Sequence, residues 1–235
     1  MNKQALVTGG TSGIGLAVTN SLIAQGCRVV ATGLHQREID SFPISKSGRA
    51  VQLDVTNVDA IADLIAQLDH LDLLVNCAGT ILRDGREHEP EGFCEVVDVN
   101  LNGAMRLCLA CKPLLVASKG CVVNIASLYS WFGARHAPAY SASKGGVVQL
   151  TKSLAVAWAN DGVRVNSVLP GWVETAMTAP VRENPERNQT ILDRTPLGRW
   201  GKPTEVANAV LFLASEHASF ITGAVLPVDG GYSAA

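Results

Sequence analysis

A tyrosine and a lysine at helical spacing are the side chains of this sequence best suited to proton transfer. Tyr140 and Lys144 stand four residues apart in the stretch Tyr-Ser-Ala-Ser-Lys, which we interpret as the beginning of a helix. Side chains at i and i+4 lie on one face of a helix, and a nearby cation lowers the pKa of a phenol, which is otherwise about 10. The pair therefore predicts a general acid and base, although the same spacing also occurs in helices without a catalytic role.

A glycine-rich turn near the start of the chain indicates a phosphate-binding loop. A short apolar strand at residues 5–7 leads into Thr-Gly-Gly-Thr-Ser-Gly-Ile-Gly at residues 8–15, and a helical apolar pattern follows to Ile23. Glycines permit a tight turn and close approach of the backbone to a ligand, and the helix N-terminus offers free N–H groups to an anion. In this strand–turn–helix context the loop predicts binding of a dinucleotide pyrophosphate; the alternative is a plain turn.

Strand and helix patterns alternate along the rest of the chain. Further strands are predicted at residues 28–32, 51–55, 71–75, 121–126, 163–169 and 224–228. Helices are predicted at residues 57–68, 91–117 (bent or ended by Pro113), 140–160 and 204–214. The alternation predicts an α/β fold, a Rossmann-type doubly wound parallel sheet of about seven strands with helices on both faces. We expect a single domain over residues 1–235, with residues 171–201 an irregular substrate lid.

Several polar or small-residue segments follow predicted strands directly. They are residues 9–15, 76–79, Ser127 and residues 170–175. Ligands of open α/β sheets bind outside the carboxyl ends of the strands, so these segments should converge on one crevice. Gly33 and Leu34 stand where an acidic residue would meet the ribose of NAD. Asp54, expected at the end of a strand, could bond the adenine amino group or cap the next helix.

Composition narrows the classes of partner and the compartment. Charged residues make up 17% of the chain, the net charge is −2, and there is no basic cluster, so no nucleic-acid partner is expected. We expect a cytoplasmic protein, because no leader or run of about 18 apolar residues is evident. No metal-ligand motif is present. Cys108 and Cys111 form a Cys-x-x-C pair inside an apolar helical pattern, which favours buried thiols over redox chemistry.

The combined motifs resemble the short-chain dehydrogenase/reductase family, of the simple single-domain type, over nearly the whole chain. The resemblance rests on the 8–15 loop, Asp54, Asn-Cys-Ala-Gly at 76–79, Asn100, Ser127, Tyr140-x-x-x-Lys144, Pro170-Gly171, Pro-Leu-Gly-Arg-Trp-Gly at 196–201 and Val-Asp-Gly-Gly at 228–231. It implies that Tyr140 is the general acid or base, that Ser127 bonds the reacting oxygen, and that Lys144 lowers the pKa of Tyr140 and holds the nicotinamide ribose. Asn100 would anchor a water that connects Lys144 to solvent.

The resemblance implies an oxidoreductase that interconverts a secondary alcohol and a ketone with NAD or NADP. The expected cofactor contacts are Gly9, Thr11, Ser12, Gly13, Ile14, Gly15, Gly33, Leu34, Asp54, Val55, Asn76, Ala78, Gly79, Tyr140, Lys144, Pro170, Gly171, Val173 and Thr175. Cys77 departs from the family's frequent asparagine, Ser12 from the basic residue of many NADP users, and Gly33 from the acidic residue of many NAD users. With no cation at the usual places, we favour NAD. The family and the low charged fraction predict a homotetramer.

The substrate is the open question at this stage. The run at 154–159 resembles members that oxidise polyols or sugar acids, which with simple secondary alcohols are the favoured substrates, whereas the C-terminal motifs resemble 3-oxoacyl thioester reductases equally well. The aromatic stretch 128–132 could line the substrate pocket or pack against a partner subunit. Arg135 or His136 could meet an anionic substrate or lie in an exposed loop. A non-catalytic cofactor-binding sensor or scaffold is the alternative of another class.

Overall fold

Parallel strands form the centre of the molecule in a computed structural model that describes residues 3–42 and 47–235. The strands are β1 (Gln4–Thr8), β2 (Arg28–Gly33), β3 (Gly48–Gln52), β4 (Leu73–Asn76), β5 (Cys121–Ile125), β6 (Arg164–Pro170) and β7 (Val225–Val228). Within the described ranges these seven form one sheet in the order β3-β2-β1-β4-β5-β6-β7, and every neighbouring pair is parallel. The predicted doubly wound sheet is therefore confirmed.

Helices cover both faces of the sheet. They are α1 (Gly13–Ala24), α2 (Gln36–Asp40), α3 (Val58–Ile65), α4 (Pro90–Val97), α5 (Gly103–Ser118), α6 (Pro138–Trp158), α7 (Ala179–Arg182), α8 (Pro185–Arg194) and α9 (Pro203–Ala214). Side chains alternate between the faces of a strand, so Leu6 packs with α3, α5 and α6, while its neighbours Ala5 and Val7 pack with α1 and α9. The buried strands thus supply two apolar layers at once.

The third strand ends earlier than its sequence suggests. It ends at Gln52, so Asp54 lies in the following turn, where its Oδ1 accepts 2.8 Å hydrogen bonds from the backbone N–H and the hydroxyl of Thr56. Helix α3 is capped by Asn57, whose Oδ1 accepts from Ala60 N–H at 3.0 Å. The placement of Asp54 within the strand and its role as the helix cap were therefore wrong.

The predicted helix at 91–117 is interrupted by a wider turn and not by its proline. A π-helical turn at Asp98–Asn102 joins α4 to α5, and such turns are frequent at functional sites. Pro113 lies inside α5, which continues to Ser118 because Cys111 and Leu115 remain buried in the core on either side of it. The turn places Asn100, which is 2% exposed, towards the interior.

The segment predicted as an irregular lid is partly helical. It contains a 3₁₀ turn at Ala176–Thr178 and the helices α7 and α8. Pro185 is compatible with the first turn of α8, where no backbone donor is needed, and the Oδ1 atom of Asn184 accepts from Arg187 N–H at 3.0 Å as its cap. Prolines therefore start the two helices of a segment that was expected to be irregular.

The cysteine side chains of the chain are free thiols. Cys108 and Cys111 are fully buried on α5, and burial raises the pKa of Cys108 to about 12 and raises that of Cys111 as well. A reactive thiol needs a lowered pKa, so the pair fits the expected structural role. Among the described residues, no helix is long and apolar enough to cross a bilayer, and no group of three or more His, Cys, Asp or Glu side chains could hold a metal ion.

A buried amide network ties the two central strands to the helices beneath them. Asn124 on β5 accepts from Asn76 Nδ2 on β4 at 2.9 Å and donates to the Thr151 hydroxyl on α6 at 2.9 Å. Asn76 Nδ2 also lies 3.3 Å from the sulfur of Cys108 on α5. All these groups are buried, so each bond that is lost leaves a polar atom without water as a replacement.

We expect Asn124→Ala to lower the free energy of unfolding by about 1–3 kcal/mol, because it leaves the Asn76 amide and the Thr151 hydroxyl short of a partner. Urea unfolding measures the change. Asn160→Ala, at an exposed position in the turn after α6, is the matched control and should change stability by less than about 0.5 kcal/mol. Equal losses for the two variants would contradict a stabilising role for the network.

Candidate active site

The segments expected to converge do line one cleft at the carboxyl edge of the sheet. Its walls are formed by Gly9, Ser12, Gly13, Ile14, Gly15, Cys77, Ala78, Gly79, Ile125, Ala126, Ser127, Tyr140, Lys144, Pro170, Gly171, Val173, Thr175, Ala176, Met177 and Thr178. The loops after β1, β4, β5 and β6 all contribute, as parallel strands require. Cys77 lies in the segment 76–79 that was expected here, whereas sequence reasoning missed Ile125, Ala126 and residues 176–178, which border the predicted positions.

The glycine loop has the backbone conformation that only glycine adopts easily. Gly9 and Gly13 have φ angles of +61° and +50°, in the left-handed region that side chains disfavour. Gly15 packs directly against the carbonyl of Gly9, so a Cβ atom at residue 15 would overlap that carbonyl. The loop thus brings the backbone N–H groups at the start of α1 to the edge of the cleft, where they suit a pyrophosphate.

A buried hydroxyl in the same loop has no partner among the described residues. Thr11 Oγ1 is shielded from solvent and makes no hydrogen bond, and a Cβ built on Gly33 would lie 2.5 Å from it. An unsatisfied buried hydroxyl is costly, and a bound polar ligand would satisfy it. This atom, the glycine cradle and the helix start together fit a dinucleotide.

The end of β2 carries a carboxylate that sequence reasoning missed. Glu38, on α2, accepts hydrogen bonds through Oε2 from the backbone N–H groups of Leu34 and His35 at 3.1 and 3.3 Å. The same oxygen lies 2.9 Å from the position of a Cβ built on Gly33. A five-residue helix returns this side chain to the strand end, so the acidic group absent from residues 33–35 is supplied from further along the chain.

Ser127 and Tyr140 meet at the floor of the cleft. Both side chains line it, and Ser127 Oγ accepts from the backbone N–H of Tyr129 at 3.2 Å. Ser127 follows β5 directly and Tyr140 lies in the first turn of α6. Burial raises the pKa of Tyr140 to about 12, and the neighbouring Ser127 side chain opposes that rise only in part.

Lys144 is buried beneath Tyr140 and held by the sheet. Its Nζ donates to the carbonyl of Ile125 at 2.7 Å and lies 5.7 Å from the centre of the Tyr140 ring. Burial lowers the pKa of Lys144 to about 8. Desolvation of the phenol raises its pKa, and Lys144 is not among the groups that shift it. The expectation that Lys144 lowers the pKa of Tyr140 stays a prediction.

Asn100 and Glu87 form buried hydrogen bonds to the first turns of α6. Asn100 bonds both backbone groups of Thr80, at 2.8 and 2.9 Å, and donates to the Ser143 hydroxyl at 3.0 Å. Glu87, which is 1% exposed, accepts from the backbone N–H groups of Leu82 and Tyr140, both at 2.9 Å. Glu87 was not predicted, because it stands in a charged stretch without periodicity and nothing there indicates burial.

Some of the predicted cofactor positions lie around the cleft and not on its wall. They are Thr11, Gly33, Leu34, Asp54, Val55 and Asn76. The side chain of Asn76 points into the core towards Asn124, so its expected contact would have to come from its backbone. Val55 packs against Gly103, and Asp54 is exposed.

A second cavity continues from the floor of the cleft towards α7 and α8. It is lined by Ile81, Arg83, Ser127, Leu128, Tyr129, His136, Tyr140, Pro170, Gly171, Trp172, Met177, Thr178, Val181 and Arg187. Tyr129 makes edge-to-face contacts with the rings of Tyr140, Trp172 and His136 at centroid distances of 6.1–6.3 Å. Of the 128–132 stretch, Leu128 and Tyr129 therefore line the pocket, whereas Trp131 is exposed.

Comparison with known proteins agrees with this architecture. The family model described as "Enoyl-(Acyl carrier protein) reductase" matches residues 9–233. A 2-dehydro-3-deoxy-D-gluconate 5-dehydrogenase of Bacillus subtilis (strain 168) is 39% identical over 98% of this chain and 94% of its own length. A galactitol 2-dehydrogenase (L-tagatose-forming) of Cereibacter sphaeroides is 41% identical over 97% of this chain and 94% of its own.

A solved structure of a related protein has the same fold. A crystal structure from Agrobacterium tumefaciens, provisionally named a 2-deoxy-D-gluconate 3-dehydrogenase and solved with bound NADP, superposes with a TM-score of 0.90. It is 40% identical and covers 99% of this chain and 97% of its own. The chain therefore belongs to the short-chain dehydrogenase/reductase family and is an NAD(P)-dependent oxidoreductase of CH–OH groups.

Proposed function

We propose that the chain interconverts a polyol, a sugar acid or a simple secondary alcohol and the matching ketone, with Tyr140 as the general acid and base. The observation that carries this proposal is the position of Ser127 and Tyr140, which both line the glycine-lined cleft and the second cavity where the two meet. A reacting oxygen at this point would contact both hydroxyl groups. The sugar-acid and polyol relatives support the choice of substrate class.

The chain's own residues would hold the reactants and move one proton. Tyr140 would give its proton to the ketone oxygen in reduction and accept it from the alcohol in oxidation, while Ser127 would orient that oxygen. The glycine loop and Thr11 would hold the dinucleotide, and Lys144 would hold the nicotinamide ribose. When bound, the nicotinamide donates or accepts the hydride, and its oxidised form adds a positive charge that favours the phenolate.

Removing the phenol oxygen tests this assignment. We expect Tyr140→Phe to lower kcat by a factor of about 10²–10⁴ or more, because the proton donor is lost. Dinucleotide affinity, measured by calorimetry, should change little. The control is Tyr232→Phe, since Tyr232 packs against Phe132 and Arg194 outside the cleft. A variant that retains full turnover would refute the catalytic role, and a cellular output that survives the change would favour the sensor alternative.

Burial of the Lys144 ammonium lowers the free energy of unfolding by an amount that depends on pH. Its pKa of about 8 in the folded protein is below the ordinary value of 10.5, so between these values the unfolded chain binds more protons and the stability of the wild type rises with pH. The stability advantage of Lys144→Met over the wild type should therefore shrink by roughly 2–3 kcal/mol between pH 7 and pH 10. Urea unfolding at both pH values measures it.

A difference that is the same at both pH values would show that the Lys144 ammonium is not desolvated. Tyr140 contributes little between pH 7 and pH 10, because its pKa is about 12 in the folded protein and about 10 in the unfolded chain. In kinetics we expect Lys144→Met to weaken both cofactor affinity and the rate. Unchanged kinetics across the pH range would mean that the lysine is only structural.

We propose NAD as the preferred cofactor, and Glu38 supports the preference. Its carboxylate lies beside Gly33 at the end of β2, where it would repel a 2′-phosphate but could accept a bond from a ribose hydroxyl. A close relative of known structure binds NADP, so the preference is a property of this chain's own residues. The arginine nearest in sequence, Arg37, is exposed and forms no ion pair among those described.

We expect Glu38→Gln to lower the ratio of kcat/KM for NAD to that for NADP by about tenfold, because one like charge near the phosphate is removed. Steady-state kinetics with both cofactors measure the ratio. Asp40→Asn removes one charge from the same helix, where Asp40 bonds Gln36, and should leave the ratio within about twofold. An unchanged ratio in Glu38→Gln would rule out Glu38 as the determinant.

A 3-oxoacyl thioester reductase is the second candidate. The description of the matching family model favours an acyl substrate. Measured side by side, turnover of a 3-oxoacyl thioester that exceeds turnover of every polyol, sugar acid and simple alcohol would decide for it.

We propose that the chain is a cytoplasmic homotetramer. Exposed apolar side chains lie where helix-to-helix and C-terminal interfaces would form. They are Phe93 on α4, Leu109 on α5, Val156 on α6, Phe212 on α9 and the fully exposed Phe220. Patches of this kind on soluble proteins commonly mark subunit contacts.

A further inference from the structure

We propose that the substrate is an open-chain hydroxy or oxo acid whose carboxylate is bound by Arg83 and Arg187 while its reacting carbon lies at Tyr140. The inference rests on the proposed function and narrows its substrate class. Carboxylate-bearing substrates are thereby favoured over polyols, cyclic alcohols and acyl thioesters. The site lies at the rim of the second cavity.

The charged side chains that line the second cavity all have the same sign. Arg83, His136 and Arg187 line it, and among the described residues that form its wall none is acidic. The three come from different parts of the chain: the loop after β4, the segment before α6, and the first turn of α8. The rest of the wall is mainly apolar or aromatic, and such pockets fix a ligand through a few placed polar groups. An anionic group is therefore the complementary one.

The two arginines are held in place but retain free donors. Arg83 donates from Nη2 to the carbonyl of Met177 at 2.7 Å, which fixes the side chain across the cavity mouth and uses one of its five N–H groups. Arg187 is anchored through its backbone by Asn184, and its guanidinium forms no hydrogen bond or ion pair within the described ranges. Guanidinium groups bind carboxylates with paired, charge-assisted bonds.

Other arginines of this region are already engaged. Arg86, on the same loop as Arg83, pairs with Glu95 at 3.1 Å. Arg182 pairs with Glu174 at 3.8 Å and lies over the Trp200 ring. The Arg187 guanidinium, which lines the cavity, thus differs from these two in forming no ion pair within the described ranges, although carboxylates lie on neighbouring turns.

His136 adds a third polar group beside the arginines. Burial lowers the pKa of His136, and Arg187 and Arg83 lower it further, so its ring is neutral at pH 7 and has one N–H to donate. Glu87 acts on the pKa of His136 in the opposite direction and Arg135 lowers it slightly further.

The separation of the two ends limits the size of the substrate. The His136 ring lies 6.3 Å from Tyr129, and Tyr129 lies 6.2 Å from Tyr140. His136, which lines the cavity together with the two arginines, is therefore two aromatic contacts from the phenol. This spacing suits a short open-chain acid whose hydroxyl lies several carbons from the carboxylate. A long acyl chain has no anionic group at this position to pair with the arginines.

Matched acid and alcohol pairs test the proposal. The probes are four- to six-carbon aldonic acids, their deoxy and oxo forms, the corresponding alditols, the corresponding sugar phosphates, and cyclopentanol, each with both cofactors. We expect kcat/KM for the best acid to exceed that of its alditol by about 10–100-fold, as one or two charge-assisted bonds supply. Phosphate esters should be used less well than carboxylates.

Substitutions of the two arginines test whether these residues cause the preference for acids. Arg187→Gln and Arg83→Gln should each lower kcat/KM for the acid by about 10–100-fold, mainly through KM, and lower kcat/KM for cyclopentanol by a clearly smaller factor. Arg86→Gln, on the same loop and outside the cavity, is the matched control and should change neither. Binding of the best acid to the protein without turnover, followed by calorimetry, should weaken in parallel.

The outcomes separate this inference from the proposed function. Turnover of neutral alcohols with no preference for acids, a preference for phosphate esters, or arginine variants with unchanged KM for acids would overturn the carboxylate site while the oxidoreductase remains. No turnover of any alcohol or ketone with either cofactor would instead remove the proposed function, and the inference with it.

Discussion

The hydrogen bond from Lys144 Nζ to the Ile125 carbonyl is the contact on which the site depends. It ties α6 to the carboxyl end of β5 at 2.7 Å, and Ser127 follows that strand end after one residue. Because Tyr140 lies one turn before Lys144, the same bond brings the phenol to Ser127. Two side chains that are far apart in sequence therefore meet through a single buried ammonium.

That contact has a thermodynamic cost that the surroundings offset. Burial disfavours both charged forms, so the pKa of Lys144 falls to about 8 and that of Tyr140 rises to about 12. Asn100 and Glu87 hold the backbone on either side of the helix start through buried hydrogen bonds. These contacts hold Tyr140 and Lys144 in a fixed geometry, and preorganised groups of this kind favour proton transfer.

The two cavities are built from different parts of the fold. The cleft over the glycine loop is formed by strand ends, whose positions the parallel sheet fixes. The second cavity is formed largely by loops and by α7 and α8, which can vary without disturbing the sheet. This arrangement places the arginines of the rim on the parts of the chain that are free to select a ligand.

The sequence by itself determined the alternation of strands and helices, the glycine loop and the Tyr140–Lys144 pair, because each depends on local spacing. Only the tertiary structure decided that Glu38 returns to the end of β2, that Glu87 is buried under α6, and that Arg83 and Arg187 face one cavity. It also showed that burial raises the pKa of Tyr140, because desolvation depends on what surrounds a group and not on its sequence neighbours.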